Sequence, residues 1–448
     1  MDSPQFELRG NNWGGSFMHE LVNNLELYRE YVQNNKNTEL FVALSDCYYI
    51  NCVDNFVDFQ HKNTKGMGLR KFNRNSTDFM CCDGISLESL ELFQKKVVPS
   101  NHFPPAKIIP FQKNNFTPCN YQDIRNMDIT ISPKECHLLW DNLSSMIHSE
   151  SDSLEKLYIQ YQREAYFLFS STGIEGYSVR TIFSPGIETK SNPGCFYCIS
   201  PKILPFTGTS IMKNLGFSHE TLPMASSITN VKYIMFSGAA ISKILYLLTA
   251  LLCKDMVLSG TSAFDVSDIG KNIFSNAITL EENSLINEAI VGNVDGEGMP
   301  RIQTKIIERG VLRAFFSDFA PDSGLSGTSS AYRFSHIELP KVQPTKVAVV
   351  GTDTTVSILD NYDNIAKVDD LTGIIESFNP RSSGFSAYAI ATIYHGHTPM
   401  ARLNINIKTT LVDILNKVIC ISSDGQYGGN GAIYGGSFLV KNQDIIST

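Results

Sequence analysis

Residues 293–319 read NVDGEGMPRIQTKIIERGVLRAFFSDF, and this stretch decides how the C-terminal half is interpreted. Apolar and polar residues alternate after the acidic DGEG segment, and a tight turn at 308–310 precedes a second apolar segment, which predicts a β-hairpin. An EF-hand loop beginning at Asp295 would need more acidic ligands than follow it, and a phosphate-binding loop would lead into a helix. Asp295 and Glu297 are therefore interpreted as the approach to a hairpin, and an ion site is the alternative.

The composition of the chain is that of an ordinary globular protein. Its 448 residues exceed the length at which a single core stops growing, so two or three domains are expected. Hydrophobic residues make up 42% and charged residues 18% of the chain. The net charge is −8 and no long run of Lys or Arg occurs, which argues against direct nucleic-acid binding.

Cysteine usage and hydropathy indicate a cytoplasmic protein. Ten cysteines are too few for a disulfide scaffold, and the one CxxC pair, Cys195 and Cys198, lacks the second ligand pair of a zinc ribbon. The first residues lack the basic start and apolar stretch of a secretory signal. The most apolar stretch, 244–253, is about half as long as a membrane span. We therefore expect no membrane segment, no metal ion and no other cofactor.

The order of the predicted elements indicates an α+β fold. The expected units are an N-terminal α/β unit at 1–100, a linker at 101–131, a central α+β unit with an antiparallel sheet at 132–230, and a mainly β domain with a few helices at 231–448. Predicted helices lie at 16–35, 87–98, from Ser132-Pro133 onward, 238–253 and 409–418. Predicted strands of the first two units lie at 39–46, 48–61, 67–74, 156–173 and 177–190.

Few side chains in the sequence have the spacing of a reactive site. His395-Gly396-His397 lies between two predicted strands, so a hairpin turn is favoured over a metal-binding pair. Two glycine-rich segments, 323–327 and 428–436, offer bare backbone beside which an extended peptide could lie, since glycine permits close approach.

Several stretches resemble, in the same order along the chain, the TldD/TldE (PmbA) family, long called modulators of DNA gyrase and understood as metallopeptidase subunits. Residues 294–319 resemble the family's acidic hairpin, and DLTGIIESFNPRSSGFS (370–386) resembles its LTG and TGxFS motifs. GAIYGGSFLV (431–440) occupies the place of its closing strand. The segment GMGLR (66–70) resembles a GxGxR-like turn of its N-terminal unit.

The resemblance implies a division of labour between two kinds of subunit. TldD-type members carry a zinc-binding HExxxH helix and a downstream cysteine, whereas TldE-type members lack the zinc ligands and pair with TldD in a heterodimeric peptidase for unfolded or small peptides. The HExxxH positions correspond here to Tyr246, Leu247 and Leu251, none of which can bind zinc. Cys420 lies near the family's cysteine, but a lone cysteine cannot hold a catalytic zinc ion.

The chain is therefore expected to be a zinc-free TldE-like subunit without catalytic residues of its own, with a role in proteolysis or peptide maturation. Its expected partners are a TldD-like zinc-bearing subunit or a second copy of the chain, and a peptide substrate. The alternatives are a self-sufficient peptidase or peptide-modifying enzyme using Cys420 or the histidine pair, and a homodimeric peptide-binding scaffold. The residues predicted to contact peptide are Leu325, Gly327, Gly384, Phe385, Ser386, Gly435 and Gly436.

Overall fold

The computed structural model shows an α+β protein built on two large sheets. It describes residues 13–53, 56–73, 76–95, 102–103, 133–147, 153–190, 192–197, 199–200, 207, 222–225, 231–319, 327–333, 335–429, 431–442 and 445–447. The α-helices of these residues are α1 (Trp13–Asn34), α2 (Leu87–Lys95), α3 (Pro133–Ile147), α4 (Gly238–Leu251), α5 (Lys254–Leu258), α6 (Thr355–Asn361) and α7 (Leu411–Asn416).

The first sheet gathers strands from the predicted N-terminal and central units. Its strands are β1 (Thr38–Val53), β2 (Phe56–Phe72), β3 (Thr77–Asp83), β4 (His102–Phe103), β5 (Leu154–Ser170), β6 (Glu175–Thr189), β7 (Asn192–Tyr197) and β10 (Ile290–Gly292). They are ordered β10-β6-β5-β1-β2-β3-β4, with β7 also beside β6. Because β1 pairs with both β2 and β5, the two predicted units share one hydrogen-bonded framework.

Three helices cover one face of the first sheet. Side chains alternate between the faces of a strand, and one set from β1 and β5 forms two apolar stretches, which the cross-strand pair Asp46 and Arg163 separates. At one end this set packs with Tyr28 of α1 and Leu90 of α2, and at the other with Leu139 and Trp140 of α3. The helices leave the opposite, more polar face free for the C-terminal half of the chain.

The second sheet forms the core of the C-terminal half. Its strands are β8 (Tyr233–Phe236), β9 (Leu280–Glu282), β11 (Thr304–Glu308), β12 (Val311–Leu312), β15 (Val347–Val349), β16 (Ile365–Val368), β17 (Gly384–His395), β18 (Thr398–Thr410), β19 (Val418–Gly428), β20 (Ile433–Lys441) and β21 (Ile446–Ser447). The order is β12-β11-β9-β15-β20-β8-β16-β17-β18-β21, with β19 also beside β20. A separate pair consists of β13 (Ala331–Tyr332) and β14 (Lys341–Val342).

Helix α4 packs directly on the second sheet. The Ser237 side chain caps its first turn by accepting a hydrogen bond from the Ala240 N–H. Gly435 of β20 allows this contact, because a Cβ atom there would lie 3.0 Å from Ile241. The exposed or half-exposed positions of α4 form one narrow stripe at helical spacing, namely Ala239, Lys243, Tyr246 and Ala250. The rest of the helix belongs to the core.

Most predicted elements are confirmed, and two local predictions are wrong. The hairpin after DGEG is formed by β11 and β12, with Arg309 and Gly310 at φ 49° and 79° in its two-residue turn. The strands predicted at 39–46, 48–61 and 67–74 are instead the two long strands β1 and β2. Consequently the segment 66–70 is not a turn but lies within β2. Among the described residues, no helix is both long and apolar enough to cross a membrane.

Candidate functional site

The polar face of the first sheet meets the C-terminal half along one short segment. Gly66, Gly68 and Arg70 point to this face, since they alternate along β2. A Cβ atom on Gly66 would lie 2.3 Å from the His336 ring, and one on Gly68 would lie 2.6 Å from the His336 carbonyl oxygen. The two glycines therefore let His336 lie directly on the strand.

A buried cluster of charged side chains stabilises this contact. Arg70 Nε and Nη2 donate to the two oxygens of Glu39, its cross-strand neighbour, at 2.9 and 2.6 Å. Arg333 donates from Nη2 to the same carboxylate, and from Nε to the Gly296 carbonyl at 2.8 Å. Arg333 thus ties Glu39 of the first sheet to the acidic turn of the C-terminal half. We call the contact built from Glu39, Arg70, Arg333 and the turn at 295–298 the polar joint.

The DGEG segment is the C-terminal side of the polar joint. The Asp295 carboxylate accepts the N–H groups of Glu297 and Met299 at 2.9 and 2.8 Å, and that of Ala331 at 3.1 Å. These bonds close the turn and attach it to β13. A Cβ atom on Gly296 would lie 2.9 Å from the Tyr332 backbone, so glycine permits that close approach.

The carboxylates of the joint differ in their partners and so in their pKa values. Burial raises the pKa of Asp295 to about 6 and that of Glu297 to about 7. Glu297 accepts the Phe319 N–H at 2.8 Å and lies 3.8 Å from Arg70. Burial would also raise the pKa of Glu39, but Arg70 and Arg333 lower it below its ordinary value. Glu39 is therefore the ionised anchor of the joint.

A second set of polar contacts extends the joint along β5 and β6. Arg180 donates from Nε and Nη2 to Glu164 at 3.0 and 2.6 Å, and the Tyr332 hydroxyl donates to the same oxygen at 2.5 Å. Arg301 donates to Tyr166 at 3.3 Å and to Asn283 at 2.9 Å. Both of these arginines have defined partners, so the extension binds the two halves together.

Glu282 stands apart, because its carboxylate is fully buried at the end of β9 and neither oxygen has a well-aligned hydrogen-bond partner among the described residues. Burial raises its pKa to about 8, and the opposing effects of Arg301 and the Thr345 backbone are smaller. A carboxyl group in such surroundings keeps its proton at neutral pH.

The positions predicted to correspond to the family's HExxxH motif lie on different faces of α4. Tyr246 is 41% exposed on the outer stripe of the helix, whereas Leu247 and Leu251 lie in the hydrophobic core. The three side chains thus do not face one common space. Within the described ranges, no three His, Cys, Asp or Glu side chains are grouped so as to hold a metal ion.

The other reactive candidates are also placed by the structure. Burial and then the nearby Asp353 raise the pKa of the Cys420 thiol to about 11, so it is protonated at neutral pH. His395 and His397 flank the exposed turn between β17 and β18, as predicted. Each histidine faces a different carboxylate, Asp363 at 3.6 Å and Asp360 at 3.0 Å.

Three of the six described residues predicted to contact peptide are buried, namely Phe385, Gly435 and Gly436. Gly435 and Gly436 are buried in β20, and a Cβ atom on Gly436 would lie 2.0 Å from the Ser422 carbonyl oxygen. Gly384, Phe385 and Ser386 begin β17, where only Ser386 is exposed. A Cβ atom on Gly327 would lie 3.4 Å from the Asp318 carbonyl oxygen. Leu325 lies outside the described residues. Peptide contact at these positions stays a prediction.

Comparison with known families assigns the C-terminal half of the chain to a known domain family. Residues 230–447 match the model of the PmbA/TldA metallopeptidase C-terminal domain. Residues 230–447, just under half of the chain, therefore form a C-terminal domain of the PmbA/TldD family. The matched residues include α4, the acidic turn and the second sheet.

One sequence relative and two solved structures show further similarity, and the structures concern the fold. An uncharacterized protein of Methanocaldococcus jannaschii is 26% identical over 188 residues, which cover 40% of this chain and 44% of that protein. TldE from Thermococcus kodakarensis superposes with a TM-score of 0.74 at 14% identity, covering 96% of this chain and 100% of TldE. A Thermotoga maritima protein, described as a proposed modulator of a DNA gyrase, superposes with a TM-score of 0.67 at 13% identity. The superposition covers 94% of this chain and 99% of that protein.

Proposed function

We propose that this chain is a zinc-free, TldE-like subunit of a two-subunit peptidase that acts on unfolded or small peptides. The observation that supports the proposal best is the chemistry of α4. A catalytic zinc ion takes three protein ligands and a water molecule. Leu247 and Leu251 have no donor atoms and belong to the core, so these positions contribute packing rather than chemistry.

In this proposal the chain acts through its shape and its partner. A TldD-like subunit supplies the zinc ion and the activated water, and this chain completes the peptide-binding cavity beside it. The fold similarity to TldE supports the assignment of the chain to the zinc-free side of such a pair. Proteolysis or peptide maturation in the cytoplasm is the process that this arrangement would serve.

The alternative of a self-sufficient enzyme has less support from the site. A nucleophilic cysteine needs a lowered thiol pKa, and that of Cys420 is raised. A metal held by the histidine pair would need a third ligand, but His395 and His397 each face their own aspartate. A homodimeric peptide-binding scaffold stays the second alternative.

The experiment that tests the proposal is reconstitution. The chain is purified alone, with a co-purifying HExxxH-bearing subunit from its native host, and after mixing with that subunit produced separately. We expect no stoichiometric zinc in the chain alone and no cleavage of an unstructured fluorogenic peptide by it. We expect stoichiometric zinc in the pair and cleavage by the mixture.

Two controls separate the alternatives. Cys420→Ser and His395→Ala/His397→Ala variants should support the same cleavage rate as the wild type when mixed with the partner. Stoichiometric zinc and cleavage by the chain alone, both lost in either variant, would establish the self-sufficient enzyme instead. Peptide binding by the purified chain without any catalytic partner would favour the scaffold.

A further inference from the structure

A small crevice opens beside the polar joint, between the first sheet and residues 332–336. Its volume is about 30 Å³. The polar side chains that line it include Ser45, Thr64, Glu164, Arg333 and Ser335. A site needs roughly 10–15 Å³ of such volume to hold one water molecule, so this crevice holds one or two small species.

Two hydrogen-bonding atoms at the crevice lack a partner within the part of the chain that the structure describes. They are Nη1 of Arg333 and Oγ of Ser335, both buried. The Arg333 side chain has no exposed surface at all, and its guanidinium group lies 4.3 Å above the Phe41 ring. A buried charged donor without a hydrogen-bond partner costs free energy of folding, so an acceptor bound here would stabilise the folded state.

The acceptors that surround the crevice are already in use. Glu164 takes the hydrogen bonds of Arg180 and Tyr332, and its other oxygen takes that of Gln162. Glu39 accepts from both Arg70 and Arg333. His336, which also lines the crevice, is 3.0 Å from the exposed Asp83. The unused hydrogen-bonding groups at the crevice are therefore donors.

The local charge points in the same direction. Glu39 carries one negative charge against the two positive charges of Arg70 and Arg333, which leaves an excess of one positive charge. Two further carboxyls act on this arginine pair. Glu297 is 3.8 Å from Arg70, and burial raises its pKa to about 7, so it offsets the excess only in part. Asp295, whose pKa burial raises to about 6, is opposed by the positive charge of Arg301. A buried positive excess is stabilised by an anion.

We propose that the crevice binds one small monovalent anion of the size of chloride or formate, which accepts hydrogen bonds from Arg333 and Ser335. The volume fits one small ion better than a whole phosphate ester or amino acid. The bound anion lies between a strand of the first sheet and the segment that follows β13, so its occupancy strengthens the contact between the two halves. This site is independent of the proposed peptidase role.

The test compares thermal unfolding of the full chain in sodium chloride, sodium formate and sodium gluconate at equal ionic strength and pH. Gluconate is too large for the crevice and serves as the reference anion. We expect chloride and formate to raise Tm above the gluconate value by about 2 °C or more, with a saturable dependence on concentration. Crystals soaked in sodium bromide should show an anomalous peak within hydrogen-bond distance of Arg333 Nη1.

The Ser335→Ala variant removes one donor and leaves the ion pairs of the joint intact. It should raise the chloride concentration at half-saturation about tenfold, whereas the exposed control Ser423→Ala should leave it unchanged. Equal Tm values of the wild type in all three salts would overturn the proposal. So would water in place of bromide in the crevice, or a chloride effect that Ser335→Ala leaves unaltered.

Discussion

Replacing Glu282 by glutamine should stabilise the protein at alkaline pH and have little effect at acid pH. Burial raises the pKa of this carboxyl from 4.5 to about 8. The folded state therefore favours the protonated form, and stability that is fully present below pH 4.5 is lost as the pH rises through 8. At about 1.4 kcal/mol per pKa unit, the loss is about 3 kcal/mol at pH 7 and about 5 kcal/mol above pH 8.

Glutamine has nearly the shape of a protonated glutamate and cannot ionise, so Glu282→Gln should recover most of that loss. Urea unfolding at pH 5, 7 and 8.5 measures the difference between variant and wild type directly. We expect a gain of about 1 kcal/mol or less at pH 5 and of about 3–5 kcal/mol at pH 8.5. Glu281→Gln, on the same strand but half-exposed, is the matched control and should stay within about 0.5 kcal/mol of the wild type at each pH. A gain for Glu282→Gln that is absent, or equal at all three pH values, would refute the reasoning.

Three further outcomes are expected. Glu39→Gln should reduce the free energy of unfolding by about 3–5 kcal/mol, because it leaves two buried arginines without their anion; a loss below about 1 kcal/mol in urea unfolding would contradict this. Gly68→Ala should cost about 1–3 kcal/mol, because its methyl group meets the His336 carbonyl oxygen, and unchanged stability would show that the segment moves freely. Cys420 in the folded protein should resist iodoacetamide at pH 7.5 and react only after unfolding, as read by peptide mass spectrometry; rapid native labelling would disprove the raised pKa.

The elements that sequence periodicity predicted well are those whose pattern is local. The β11–β12 hairpin follows from its alternation and from the turn at Arg309-Gly310, and α4 follows from a continuous apolar stretch behind Ser237. The long strands β1 and β2 were divided in the prediction because their outer halves carry polar side chains. Residues 60–64 of β2 are all exposed, so the polarity there reflects a solvent-exposed stretch of strand and not a chain turn.

The polar joint could not be predicted from spacing, because its members come from distant parts of the chain. Glu39 and Arg333 are 294 residues apart, and only the fold brings them together. One local signal was available. Gly66, Gly68 and Arg70 alternate, which in a strand places two bare positions and a cation on one face. Interpreted as a turn, the same residues gave no such information.

The position of strand β10 determines how fragments of this protein should behave. It lies in the C-terminal half of the chain, yet it extends the first sheet by pairing with β6. A fragment that begins at residue 230 would carry this strand without its neighbour, and the complementary fragment would expose the edge that the strand covers. Expressed separately, the two fragments should be poorly soluble, and expressed together they should associate into a noncovalent complex. A crossing strand of this kind makes the molecule fold as one unit, even though its family domain begins between strands of the two sheets.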